Sequence, residues 1–250
     1  MWKLLFELSD RFFALIPVKK WRNYLRRVVL FDYRRKLNAL KSTRSDLNFK
    51  KMRLAKGGGS LVFIIDNDTF KVRKHVSEAK EFTRFRYEKR VTDAIRPFCS
   101  IQIPDIDFFN ANGFVFYKTD RIPGTLLINI PTWKIKKYQN QISKQLAEFI
   151  YKKSFANPKE IEDLKTVPTQ SGYSWNHGDM CSNILIDPKT MQITGIIDWE
   201  WARYSDTKSE FDGLVRVRKK MRKIGLDKST QIAYQKILDK KLTILMKNEE

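Results

Sequence analysis

The sequence predicts an α+β protein, and three observations carry that reading. From Met52 the residues fall into a strand–turn–strand rhythm; residues 77–95 and 133–155 carry apolar side chains at helical spacing; and 250 residues, 42% of them hydrophobic, suit one two-lobed domain or a small domain with an extension. Aromatics make up 13%, so disorder over the whole chain is excluded.

Composition narrows the partners. Cys99 and Cys181 stand far apart and the chain has two histidines, so the usual soft ligands build no zinc cluster. A reducing, cytoplasmic compartment is the simple reading. The net charge of +21 favours anionic surroundings such as nucleic acid, acidic lipid head groups or phosphorylated substrates. Residues 1–56 hold 16 Lys/Arg against 4 Asp/Glu, over half of that excess.

Residues 1–45 read as helical. Trp2, Leu5, Leu8, Phe12 and Leu15 recur at three- and four-residue intervals, and Pro17 breaks the pattern. Trp21, Tyr24, Leu25, Val28 and Val29 then alternate with Lys19, Lys20, Arg22, Arg26 and Arg27. No apolar run reaches the roughly eighteen residues of a membrane span, and Glu7, Asp10 and Arg11 interrupt any signal-peptide core. Such a segment suits a helix lying on an anionic membrane surface, or a helical pair packed on the body. The segment AKGGGSLVFIIDNDTFKVRK reads as strand, glycine turn, strand, Asp-Asn-Asp turn, strand. Alternation puts Thr69, Lys71 and Arg73 on one face of the third strand and Phe70 and Val72 on the other. A charged helix follows over 77–95, with Phe82, Phe85, Tyr87, Val91 and Ile95 as its apolar positions. Residues 133–155 form a core helix with Ile135, Tyr138, Ile142, Leu146 and Ile150 in line, and the basic tail from Phe211 is helical.

The chemistry concentrates in HGDMCSNILIDPKTMQITGIIDWE, residues 177–200. Its His-Gly-Asp, its Asn and the Asp that ends an apolar run, with the Gly run about 120 residues earlier, resemble the aminoglycoside phosphotransferase and choline kinase branch of the protein-kinase-like fold. The resemblance extends from about Lys51 to about Leu214. It implies a small β-rich N-lobe over 51–118, a larger, mainly helical C-lobe over 119–250 and a basic amphipathic extension over 1–50. The family pattern is HGDxxxxN; here Asn183 follows Asp179 by four residues instead of five, so Asn183 needs a tighter turn.

The resemblance also implies the roles. Asp179 aligns the acceptor hydroxyl, and Asn183 and Asp198 hold Mg²⁺. Gly57, Gly58, Gly59 and Ser60 lie over the phosphates of ATP, where glycine lets the backbone approach closely. Lys71 grips those phosphates, with Arg73 or Lys74 as replacements if the register slips. Glu88 is the helix acid that pairs with that lysine, Glu78 and Glu81 remaining candidates. Ile122-Pro123-Gly124 fills the slot joining the lobes. His177 bonds the loop backbone, and Trp199 and Trp201 pack the C-lobe.

The expected activity is an ATP- and Mg²⁺-dependent kinase acting on a hydroxyl of a small molecule or glycan. Cationic acceptors suit a +21 protein poorly, so the expected acceptor is anionic, such as a lipopolysaccharide or capsule precursor. The enzyme would then sit peripherally on the inner face of the cytoplasmic membrane. The short Asp179–Asn183 spacing leaves open a catalytically silent kinase-like binding module. A nucleic-acid-binding protein is the other alternative, disfavoured because the basic residues lie in an apolar-striped N-terminus and not on an aromatic stacking platform.

Overall fold

The computed structural model describes residues 32–56, 60–73, 78–157, 172–215 and 219–248. The expectations placed on residues 1–31, on Gly57, Gly58 and Gly59, and on Lys74 lie outside these residues, as do the side chains of Glu78 and Glu81. The described chain divides into two units: residues up to Glu81 with Phe108–Lys118, and Phe82–Asp107 with the residues from Thr119 onward.

In the first unit, strands β1 (Arg53–Lys56), β2 (Ser60–Ile65), β3 (Asp68–Arg73), β4 (Asp107–Ala111) and β5 (Phe114–Asp120) form one sheet ordered β1-β2-β3-β5-β4. The Asp-Asn-Asp turn falls where the sequence predicts it. Ile65 pairs with Asp68, and Asp66 takes a φ of +52°, the sign that lets a two-residue turn match the twist of its strands. Asn112 and Gly113, both at positive φ, do the same between β4 and β5. Phe70 and Val72 enter the core while Lys71 and Arg73 take the opposite face, as alternation requires; both of these cations are also buried.

Residues 32–43 form a helix whose Tyr33, Ala39 and Leu40 join Phe63, Ile65, Phe70 and Phe116 in this core. The buried Lys36 donates to Asp32 one turn back, at 2.9 Å, and to the carbonyl of Arg73. Burying a lysine without such partners would cost several kcal/mol, so the pair of acceptors is what allows Lys36 to be buried here.

In the second unit, helix Glu78–Ile95 buries Phe85, Glu88, Val91, Thr92 and Ile95, a stripe at three- and four-residue spacing. The single core helix expected over 133–155 is two: Thr132–Lys137 and Gln139–Lys153 break at Tyr138, whose φ of −108° and ψ of 17° leave the helical region. Gln139–Lys153 then presents Ile142, Leu146, Phe149, Ile150 and Lys153 inward. The last helix, Leu226–Asn248, packs on it through Ser229, which meets Ser143 at 2.7 Å. Strands β6 (Thr125–Leu126), β8 (Ile184–Ile186) and β9 (Ile193–Ile196) form one small sheet, and β7 (Tyr173–Asn176) with β10 (Arg203–Asp206) another. Gly124 takes a φ of +135° at the entry to β6, where a Cβ would meet Thr194 at 2.6 Å, so the glycine of Ile-Pro-Gly is required by space.

Among the described residues, no helix is long and apolar enough to cross a membrane.

Candidate active site

Strand β7 ends at Asn176, and its amide donates to the carbonyl of Asp206 and to Ser209 Oγ, both at 2.9 Å. The chain then turns through His177 and Gly178. Gly178 has a φ of +83°, and a Cβ there would stand 2.5 Å from the carbonyl oxygen of Trp201. Only glycine gives both the conformation and the clearance, which explains the residue between His177 and Asp179 in physical terms.

His177 is fully buried and ties two loops together. Its Nδ1 accepts the backbone N–H of Asp179 at 3.3 Å, so Nε2 carries the proton and donates to the carbonyl of Ile197 at 2.9 Å. Burial holds the imidazole below its ordinary pKa, against the opposing pull of Glu210, the Ile197 carbonyl, Asp198 and Asp179. A neutral ring is the form that makes both bonds. The expectation that His177 bonds the loop backbone holds.

Asp179 precedes a single helical turn, Met180–Asn183, and this turn takes up the four-residue spacing. The Asn183 amide nitrogen folds back onto the carbonyl of Asp179 at 2.9 Å, and the carbonyl of Asn183 accepts the N–H of Ile197 at 3.1 Å. Its amide nitrogen being engaged, Asn183 has its oxygen left for a cation. Asp179 Oδ1 is buried and has no hydrogen-bond partner among the described residues. An acceptor of this kind is an expensive thing to leave unpaired, and such groups cluster where a ligand completes them.

Asp198 follows Ile197 with a φ of +66°. Asp66 and Asn112 adopt such values in hairpin turns, whereas Asp198 does so two residues beyond the apolar strand Ile193–Ile196. Helix Glu78–Ile95 holds the loop in that shape. Glu88, fully buried, accepts the backbone N–H of Trp199 at 2.9 Å, and Tyr87 donates its hydroxyl to the carbonyl of Ala202 at 2.8 Å. Trp199 packs in the core with its ring 4.5 Å from that of His177. Trp201 corrects the expectation that both tryptophans pack the C-lobe: it is 55% exposed, with Arg84 stacked 4.7 Å above its ring.

Beneath the His177 turn lies a group that motif reading missed. Glu210 receives the backbone N–H of His177 on both carboxylate oxygens, at 3.1 and 2.9 Å, and pairs with Lys153 at 3.1 Å. Lys153 is 0% exposed and Glu210 1%; Lys153 also donates to the carbonyl of Trp175. The signal available was an acid four residues after Asp206, but nothing in the sequence separates it from a solvated helix acid.

Of the other sequence-predicted residues, Ser60 is buried at the start of β2, opposite Arg73 in the register. Lys71 is buried on β3 with its Nζ 5.4 Å over the Tyr117 ring. Among the described residues, no group of three His, Cys, Asp or Glu could hold a metal ion by itself. Asn183 and Asp198 offer an amide and a carboxylate oxygen, the sparse oxygen set that suits Mg²⁺ when water and phosphate complete its shell.

The sequence matches no family model and no curated protein. Solved structures do resemble this one. The GDP complex of aminoglycoside 2'-phosphotransferase-IIIa is similar at a TM-score of 0.62 and 12% identity, over 80% of this chain and 82% of that one. Aminoglycoside phosphotransferase APH(3'')-Id from Streptomyces rimosus is similar at a TM-score of 0.56 and 14% identity, over 81% and 92%. Macrolide 2'-phosphotransferase MphH from Brachybacterium faecium is similar at 0.53 and 14%, over 80% and 82%. The chain has the protein-kinase-like fold of the aminoglycoside and macrolide phosphotransferases.

Proposed function

We propose that the chain is a phosphotransferase that moves the γ-phosphate of ATP to a hydroxyl group of a small molecule or glycan. The tie that His177 makes between Asp179 and the residue before Asp198 supports this assignment above all, because phosphoryl transfer needs an acceptor-aligning carboxylate and a metal-facing carboxylate held in fixed relation. Asp179, with one oxygen buried and open, accepts the hydroxyl proton's hydrogen bond and aligns that oxygen for attack. Asn183 and Asp198 are the residues that would hold Mg²⁺, which when bound neutralises charge on the phosphates. Gly57, Gly58, Gly59, Ser60 and Lys71 are assigned to the nucleotide phosphates and Glu88 remains the helix acid of that set, with the N–H of Trp199 as a contact it makes.

The net charge of +21 favours an anionic acceptor, such as a precursor of a surface polysaccharide or lipopolysaccharide, at the inner face of the cytoplasmic membrane. The domain reading that accompanies this is an extension over 1–50, an N-lobe over 51–118 and a C-lobe over 119–250.

Asp198→Ala is expected to weaken Mg·ATP binding at least tenfold, in line with the loss of one charged contact, while binding of ATP in EDTA stays the same. Calorimetry with and without Mg²⁺ tests this, and equal Mg·ATP affinity in the two proteins would remove the metal from Asp198. The membrane part has its own test. Removing residues 1–45 takes away Tyr33 and Leu40 as well, so the shorter deletion of residues 1–31 is the one to use. That protein is expected to lose co-sedimentation with vesicles containing phosphatidylserine, and undiminished binding would refute the role of the extension.

A further inference from the structure

Three positions on one face of helix Glu78–Ile95 meet the loop after Asp198: Glu88 on the N–H of Trp199, Tyr87 on the carbonyl of Ala202, and Arg84 over the ring of Trp201. The first two contacts explain how the loop is held. The third adds no hydrogen bond to the loop backbone, and Trp201 keeps over half of its surface exposed. Trp201 is instead presented beside the Asp179 turn, its carbonyl and Cβ lying against Gly178.

We propose that Trp201 and Arg84 form an acceptor subsite for an anionic sugar. It rests on the phosphotransferase reading and adds the residues that recognise the acceptor. A sugar ring has an apolar face of C–H groups that lies flat on an indole, and the open face of Trp201 supplies one next to the residue that aligns the hydroxyl. Arg84 covers the other face with its guanidinium carbon 4.7 Å from the ring centroid, a contact that leaves the N–H fork free to donate. Among the described residues no carboxylate pairs with Arg84, so that fork is available to the carboxylate or phosphate of a sugar. Arg203, exposed and opposite Asn176 in the β7–β10 register, adds positive charge on the same approach to the His177 turn. Two cations beside an exposed indole discriminate against a polycationic acceptor and for an anionic one.

The experiment is a set of fluorescence and saturation-transfer titrations of the full chain with glucose, glucuronate and glucose 6-phosphate, each with Mg·ADP present. Wild type, Trp201→Ala, Trp201→Phe, Arg84→Gln and Arg84→Lys are compared. Wild type is expected to bind at least one of the two anionic sugars at least about tenfold more tightly than glucose, the size of one charge-assisted contact. Glucuronate against glucose 6-phosphate tells carboxylate from phosphate. Arg84→Gln is expected to erase the preference, Arg84→Lys to keep part of it, and Trp201→Ala to weaken every sugar where Trp201→Phe does not. Failure of both anionic sugars to bind better than glucose overturns the subsite, as does an unchanged preference in Arg84→Gln. Mg·ATP affinity, measured on the same samples, separates the two ideas: a wild type that binds Mg·ATP but shows no preference for either anionic sugar sinks the subsite alone, whereas absent Mg·ATP binding by the wild type sinks the phosphotransferase reading.

Discussion

Asp179→Ala is expected to lower turnover by about three orders of magnitude, the range in which a positioned proton acceptor contributes to transfer, while Mg·ATP affinity stays within about twofold. The reason is local. Asp179 Oδ1 is the buried oxygen without a partner, and the backbone N–H and carbonyl of the same residue are held by His177 and Asn183. Cutting the side chain at Cβ removes the open acceptor but neither of those backbone bonds, so the loop keeps its shape and Asn183 and Asp198 are undisturbed. Single-turnover kinetics beside nucleotide calorimetry separates the two effects. Retained turnover would take Asp179 out of the alignment role, and a parallel loss of Mg·ATP binding would mean that its carboxylate faces the metal instead.

Glu210→Ala is expected to produce the largest loss of stability of any single change near the site, about 3–5 kcal/mol, because it leaves the fully buried Lys153 ammonium without its counter-charge. For a chain of this length each kcal/mol moves the melting temperature by about 2–4 °C, so the melt should fall by roughly 10 °C. The same substitution strips both acceptors from the His177 N–H, and the tie between the Asp179 and Asp198 loops should loosen with it. The double variant Lys153→Met with Glu210→Gln removes the charge pair but keeps an oxygen for the His177 N–H, and should recover most of the lost stability. Thermal melts of the three proteins decide this. A single variant that melts within about 2 °C of wild type would mean that water reaches the Lys153 ammonium.

The local pattern was legible wherever local chemistry decided the shape. The strands and the Asp-Asn-Asp turn are written in period-two alternation and in a residue type that accepts positive φ at Asp66. Asn112-Gly113 carries the same kind of signal between β4 and β5. Helix Gln139–Lys153 follows from its apolar spacing. The break at Tyr138 does not, because the apolar stripe continues across it and periodicity cannot see one residue leave the helical region. At the candidate site, residues 177–200 offer Asp179, Asn183 and Asp198 by type and order, and the shortened spacing foretold the tight turn that Met180–Asn183 makes.

Short-range pattern in the chain was enough to set the order of the elements and to mark three polar candidates in residues 177–200, since both depend on residues a few positions apart. Tertiary structure alone decided what surrounds each side chain. Lys153 reads as one more solvated lysine at a helix end, yet it is buried against Glu210, a residue far along the chain. Trp199 and Trp201 have the same type and nearly the same position, yet one packs against His177 and the other stands in solvent under Arg84. Burial, and with it the energy of every charge and ring, is set by which distant segments close over a residue, and that information is distributed over the whole chain.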